Sequence, residues 1–375
     1  MVIPTEDGSG RAPYAPLVTL GEPDLEALAR GCAIFGGGGG GDPTLGYVMA
    51  REAIRRHGPV TVVDLDELPD DGLVLPVAMV GAPTVIEEKI PNGSEGGRIQ
   101  AIYERHLGQP VVALAAAELG GIEGMLPVAW AAHAGLPLAD CDLMGRAFPE
   151  IHMCTPTLHG LPIGPVVVTD ERGNVATFTS VDAAWAERLV RPTCAAMGSC
   201  ASLAIFPMTA VRARAVAVRG SVSRAVRLGR RLEAEAGDPL AVLAAELGAV
   251  RLIEGKVADV ERWTTEGFAR GSAVIEGFGE DAGRLLRLEF QNENLLALLD
   301  GEVVASVPDV ITILDQHGAG AVVSERLRYG QRVSVVAFPC HPAWRTAAGL
   351  QLVGPRAWGY DLDYVPVERL HATHG

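Results

Sequence analysis

Two segments in the N-terminal half carry residue types that could do chemistry. The first is Phe35-Gly36-Gly37-Gly38-Gly39-Gly40-Gly41-Asp42-Pro43, six glycines running into a helix start. Backbone N–H groups of such a loop, Gly38 to Gly41 above all, can converge on a carboxylate or a developing oxyanion, helped by the helix dipole. A hinge or a close packing point would use the same composition. The second is Asp140-Cys141-Asp142-Leu143-Met144-Gly145-Arg146-Ala147-Phe148-Pro149-Glu150. Two acids two residues apart on one strand point to the same face, so Asp140 and Asp142 could share a metal, a proton or a cation. Arg146 adds a fixed charge and Glu150 a candidate general base. The alternative is an ion network that only holds the loop.

Other ionisable groups fall at predicted strand ends. Glu118 closes the strand expected at 111–117, Glu123 opens the next helix, and Glu88-Lys89 follows Gly81-Ala82-Pro83. His152 and Cys154 lie just beyond Glu150, with His133 and His159 near in sequence. Together with Asp142 these give a candidate zinc or other divalent-metal set, although an H-x-C pair is a weak signal. No Gly-Lys-Ser/Thr follows the glycines, and a helix rather than a strand precedes them, so no nucleotide is expected. Gly198-Ser199-Cys200-Ala201-Ser202 lacks the last glycine of a nucleophile elbow, and Cys194 and Cys200 read as buried thiols.

The elements that must position these groups follow from periodicity and capping. Residues up to about 16 read as a mobile lead, and helices begin at 23 and at 43. In the second of these Asp42 is the N-cap and Pro43 the first helical residue. Apolar runs at 60–63, 74–80 and 111–114 alternate with helix patterns at 95–106 and 122–134, predicting a mainly parallel sheet covered by helices. Residues 138–142 predict one more strand, with its acids at the carboxyl end where ligands bind such sheets. Residues 165–180 predict a hairpin around Gly173-Asn174. Helices are expected at 221–235 and 239–247, and strands at 249–260, 271–277, 285–290, 303–306, 310–313 and 333–338 suggest a barrel-like C-terminal domain. The division is placed at 15–180 and 181–366.

Composition narrows the classes. Over 375 residues, 46 acidic and 31 basic side chains leave a net charge of −15, which disfavours phosphate backbones and anionic lipid. The basic cluster Arg227, Arg230 and Arg231 reads as a solvated helix face. Six scattered cysteines, no apolar leader and no apolar run long enough for a bilayer predict a cytoplasmic protein with reduced thiols.

Taken in order, several blocks resemble a known family. They are the glycine loop with Asp42-Pro43, Val80-Gly81-Ala82-Pro83 with Glu88-Lys89, Met144-Gly145-Arg146-Ala147-Phe148-Pro149-Glu150, Gly173-Asn174, Pro308-Asp309, Leu327-Arg328-Tyr329-Gly330 and Gly354-Pro355-Arg356-Ala357-Trp358-Gly359-Tyr360. The set resembles the DUF917 family, described as S-methyl thiohydantoin desulfurase-like, over residues 25–366. The resemblance implies a three-layer α/β domain followed by a β-barrel-like domain, and an association with hydantoin and thiohydantoin breakdown beside hydantoinase- or oxoprolinase-type enzymes. One departure is Cys141-Asp142-Leu143, where the family tends to carry Ala-Asp-Gly.

The reading that results is a hydrolase acting at an sp² carbon of a five-membered cyclic amide or thioamide. Asp142 or Glu150 is the expected base, Glu118 a further catalytic carboxyl and Arg146 the charge stabiliser. Gly38, Gly39, Gly40, Gly41, Asp42, Glu88, Lys89, Met144 and Gly145 are the expected substrate contacts. Asp140, Asp142 and His152 are the ligands if a metal is used. A homo-oligomer is expected, with hydantoinase-type proteins as candidate partners. The alternatives are a non-catalytic partner subunit of such an enzyme and a nucleotide-dependent enzyme.

Overall fold

The structure is a computed structural model that describes residues 17–371 except 87, 236, 266–267 and 317–319. The lead at 1–16 lies outside the described residues.

The N-terminal sheet is mixed. Its parallel centre runs Val60–Val63, Leu138–Ala139, Val111–Ala116, Leu73–Gly81. Antiparallel strands extend it on the Leu73–Gly81 side: Cys200–Ala204, then the hairpin Val166–Thr169 and Val175–Phe178. The predicted hairpin is therefore present, its turn tied by Asp170, which accepts from the amides of Arg172 and Asn174. The mainly parallel expectation holds only for the centre. The strand Cys200–Ala204 returns from beyond the hairpin and pairs antiparallel with Leu73–Gly81. Leu73–Gly81 is buried throughout except at its last residue, as a central strand covered on both faces must be. Apolar side chains from both faces form two separate cores, one under the helices Leu25–Phe35, Pro43–His57 and Leu126–Ala134 and one under Ala183–Ala196 and Ala210–Val216.

The strand predicted at 138–142 is broken. Leu138–Ala139 stays in the main sheet, whereas Cys141–Asp142 pairs antiparallel with Val218–Arg219 in a separate two-stranded ladder. Asp140 sits at the change of sheet, where its carboxylate accepts from the Ser223 amide at 3.0 Å and the Ser223 hydroxyl at 2.5 Å in the first turn of the helix Ser221–Ala234. A single strand face shared by Asp140 and Asp142 does not form, because the chain changes sheets between them.

The C-terminal domain is one antiparallel sheet in the order Glu302–Ser306, Glu293–Leu299, Leu285–Gln291, Phe268–Gly277, Val250–Thr265, Arg332–Phe338, Val310–Asp315. Among the described residues no ladder joins its two end strands, so it is a curled open sheet and not a closed barrel. Val250–Thr265 and Leu285–Gln291 carry bulges where the register shifts, the usual device for bending a strand. No helix among the described residues is long and apolar enough to cross a membrane.

Candidate active site

The glycine loop joins two helices, Leu25–Phe35 and Pro43–His57. Asp42 caps the second as expected, accepting from the Thr44 amide at 2.7 Å, and it pairs with Arg326 of the C-terminal domain at 2.7 Å. The loop is also where the C-terminal sheet docks. The Asn294 amide donates to the Gly37 carbonyl at 2.8 Å and the Ser324 amide to the Gly38 carbonyl at 2.7 Å. The tight hairpin Gln291-Asn292-Glu293-Asn294 thus lies against the glycines, with Asn292 in the left-handed region at φ 57°. A Cβ on Gly39 would stand 2.0 Å from Glu293 Oε1, and one on Gly40 would stand 2.5 Å from the Gly120 carbonyl oxygen. Glycine is required here by close approach on two sides.

These contacts enclose a cavity of about 60 Å³ at the carboxyl ends of Leu73–Gly81 and Val111–Ala116. Its polar lining includes Glu118, Glu123, Glu293, Glu150, Asn292 and Arg191, set among Gly40, Gly41, Met144 and Phe148. Three of these carboxyls are buried. Glu118 accepts from the Phe148 amide at 3.0 Å, and Glu123 from the Met79 amide at 2.7 Å. Glu293 Oε2 is buried with no hydrogen-bond partner among the described residues.

Burial controls their ionisation. It pushes Glu118 well above the usual carboxylate range, and the charges of Glu123 and Glu293 add to the rise. Burial likewise raises Glu123 to about 8. Glu293 is also pushed to about 8 by burial, against the opposing charge of Arg146 and the amides of Glu293 and Gly40. Burial therefore favours the protonated form of all three, a state suited to general-acid work. The half-buried Glu150 is raised by burial and by the neighbouring Glu187 charge, and stands 3.3 Å from His152 Nδ1. Arg191, which pairs with Glu187 and lies 4.2 Å over the Phe268 ring, brings a cation to the cavity wall.

The remaining expected residues divide by position. Met144 lines the cavity, and so do Gly40 and Gly41. The Gly39 amide donates back to Gly36 at 2.9 Å, and Gly38 packs on Asn294. The carboxyl group that packs against the loop is the protein's own Glu293.

Asp142 is buried and is raised to about 6 chiefly by that burial; its Oδ2 accepts from Met144 at 3.1 Å and Gly145 at 2.7 Å. It shapes the turn that presents Met144. Arg146 is fully buried. Its Nη1 donates to the carbonyls of Pro308 at 2.7 Å and Asp309 at 2.9 Å, its Nε to Ala147, and its guanidinium lies 4.5 Å over the Phe148 ring. Arg146 is therefore a bolt between the domains that also faces Glu293.

Glu88 is exposed, and Lys89 is bound to Glu171 and to the carbonyls of Met197 and Cys200; neither lines the cavity. Among the described residues no three His, Cys, Asp or Glu side chains group to hold a metal ion. Asp140 is bonded to Ser223 and Asp142 to the Met144–Gly145 turn, His152 Nδ1 lies 3.3 Å from Glu150 without a hydrogen bond, and the Cys154 thiol is buried on the Ile151 carbonyl. The proposed ligand set is not brought together. Sequence reasoning did not find Glu293, Asn292 or Arg191. The signal for the first two was Gln291-Asn292-Glu293-Asn294, a polar run inside an apolar hairpin.

Comparison with known proteins adds the following. The model of the S-Me-THD-like N-terminal domain matches residues 23–180, and that of the S-Me-THD-like C-terminal domain matches residues 181–367. No curated protein matches. A crystal structure of a protein from Chromobacterium violaceum is similar in fold, with a TM-score of 0.79 at 24% identity, covering 94% of this chain and 100% of that one.

Proposed function

The chain belongs to the S-Me-THD-like family, and on that premise we propose that it is a hydrolase of hydantoin- or thiohydantoin-like five-membered rings. The observation that carries the reading is the cavity lined by Glu118, Glu123 and Glu293, three buried carboxyls raised by burial, with the more exposed Glu150 at its edge. Water attack at an sp² ring carbon needs a base for the water, an acid for the departing group and a way to neutralise the tetrahedral oxygen. Glu150, the least buried of the four, takes the proton of the attacking water. Glu118 donates its proton to the sulfur as the carbon–sulfur bond breaks and the thiol leaves. The hydroxyl proton of the adduct passes to the ring nitrogen, leaving the ring carbonyl, and the proton taken by Glu150 returns to Glu118 through water. The acid OH groups of Glu123 and Glu293 serve as donors to charge that develops in the cavity. Arg146 and Asp142 are positioning residues, the first tying the Pro308–Asp309 segment of the C-terminal domain beside Glu293 and the second fixing Met144. Release of methanethiol from an S-methyl thiohydantoin by the purified protein tests this. No turnover of S-methyl thiohydantoins, thiohydantoins or hydantoins by folded protein contradicts it.

A further inference from the structure

Beside the carboxylate cavity lies a larger one of about 380 Å³. Leu45 and Val48 of the helix Pro43–His57, Ile86, Ile122 and the Asp42–Arg326 ion pair wall it. Gly41 and Ile86 line both spaces, so the two are neighbours across the end of the glycine loop. Their sizes differ in a way that matters. Small-molecule sites run from about 300 to 1,000 Å³, and the inner cavity at about 60 Å³ is far below that range while the outer one falls within it.

We propose that the outer cavity is the subsite for an apolar substituent, aliphatic or aromatic, on a ring whose reacting carbon enters the carboxylate cavity. The proposal rests on the hydrolase reading. The wall chemistry selects the class. Four aliphatic side chains face the space, and Val48 is 45% exposed, so an apolar group seated there removes water from both surfaces. Among the described wall residues the one cation is Arg326, held at 2.7 Å by Asp42, and an anionic substituent would have to displace that carboxylate. Substrates carrying benzyl or isobutyl groups are therefore favoured over those carrying carboxymethyl.

The test uses the full chain and three S-methyl thiohydantoins, benzyl-substituted, carboxymethyl-substituted and unsubstituted, with calorimetric binding of the matching hydantoins. The expected result is a kcat/KM preference of about tenfold or more for benzyl over unsubstituted, the discrimination typical of an apolar pocket. Val48→Trp, which fills the space from the solvent side, lowers that preference about tenfold, and Val48→Asp does the same by polarity if the tryptophan variant melts early. An unaltered preference in both folded variants, or a preference for carboxymethyl, overturns the subsite while leaving the hydrolase reading standing. Benzylhydantoin binding that Val48→Trp weakens about tenfold, with no ring turned over, supports the subsite and sinks the hydrolase reading. No turnover and no binding overturns both.

Discussion

Gly39 faces Glu293 so closely that a methyl group on residue 39 would stand 2.0 Å from Oε1, 2.4 Å from Cδ and 2.7 Å from Cγ of the glutamate. Gly39 is not among the residues with positive φ, so contact and not backbone conformation demands the glycine. Gly39→Ala should cost about 1–3 kcal/mol, the usual range for forcing extra volume into a packed site. In a double-mutant cycle with Glu293→Ala the losses should fall short of additive by about 1 kcal/mol or more. Denaturant midpoints measure both, and strictly additive losses would count against the contact.

The buried carboxyls make stability depend on pH in a definite direction. Burial raises Glu123 from 4.5 to about 8 in the folded protein, so the folded state keeps a proton that the unfolded chain loses first. That contribution is fully present below about pH 4.5 and is lost as pH rises toward about 8. Glu123→Gln keeps an oxygen for the Met79 amide and removes the titration. The stability of Glu123→Gln relative to wild type should therefore increase between pH 5 and 8 and level off above. Thermal melts across that range check it, and a pH-independent difference would refute the assignment.

Arg146 joins the domains through the Pro308 and Asp309 carbonyls, and its charge opposes the upward shift that burial gives Glu293. Arg146→Met retains bulk but leaves buried carbonyls without their donor. A loss of about 3 kcal/mol is expected, since hydrogen bonds to charged groups contribute about 1.5–3 kcal/mol each. A loss below about 0.5 kcal/mol, the scale of a surface substitution, would contradict the bolt.

The parallel centre, the hairpin at Val166–Thr169 and Val175–Phe178, and the Asp42-Pro43 helix start were legible in the sequence, because period, turn chemistry and capping are local signals. Two features were not. The break at Asp140 depends on Ser223, far along the chain, and no local pattern encodes that partner. Glu293 enters the cavity from a hairpin of the other domain, and its strand Glu293–Leu299 went unread because Asn-Leu-Leu-Ala-Leu-Leu carries no alternation. The glycine loop did mark the site. Its close approaches are to Glu293 and Gly120, and these are tertiary facts.

In the proposed reaction Glu118 is the acid of the carboxylate cavity. The direct measurement is the pH–rate profile of methanethiol release from an S-methyl thiohydantoin by wild type and by Glu118→Gln, both shown to be folded. Glu118→Gln preserves an acceptor for the Phe148 amide, so the fold should survive while kcat falls about a hundredfold or more. The alkaline decline of the wild-type profile should lose the component that reports the Glu118 proton, leaving in the residual activity only that of Glu123 and Glu293. A Glu118→Gln enzyme with wild-type kcat and an unaltered profile would rule Glu118 out as the acid.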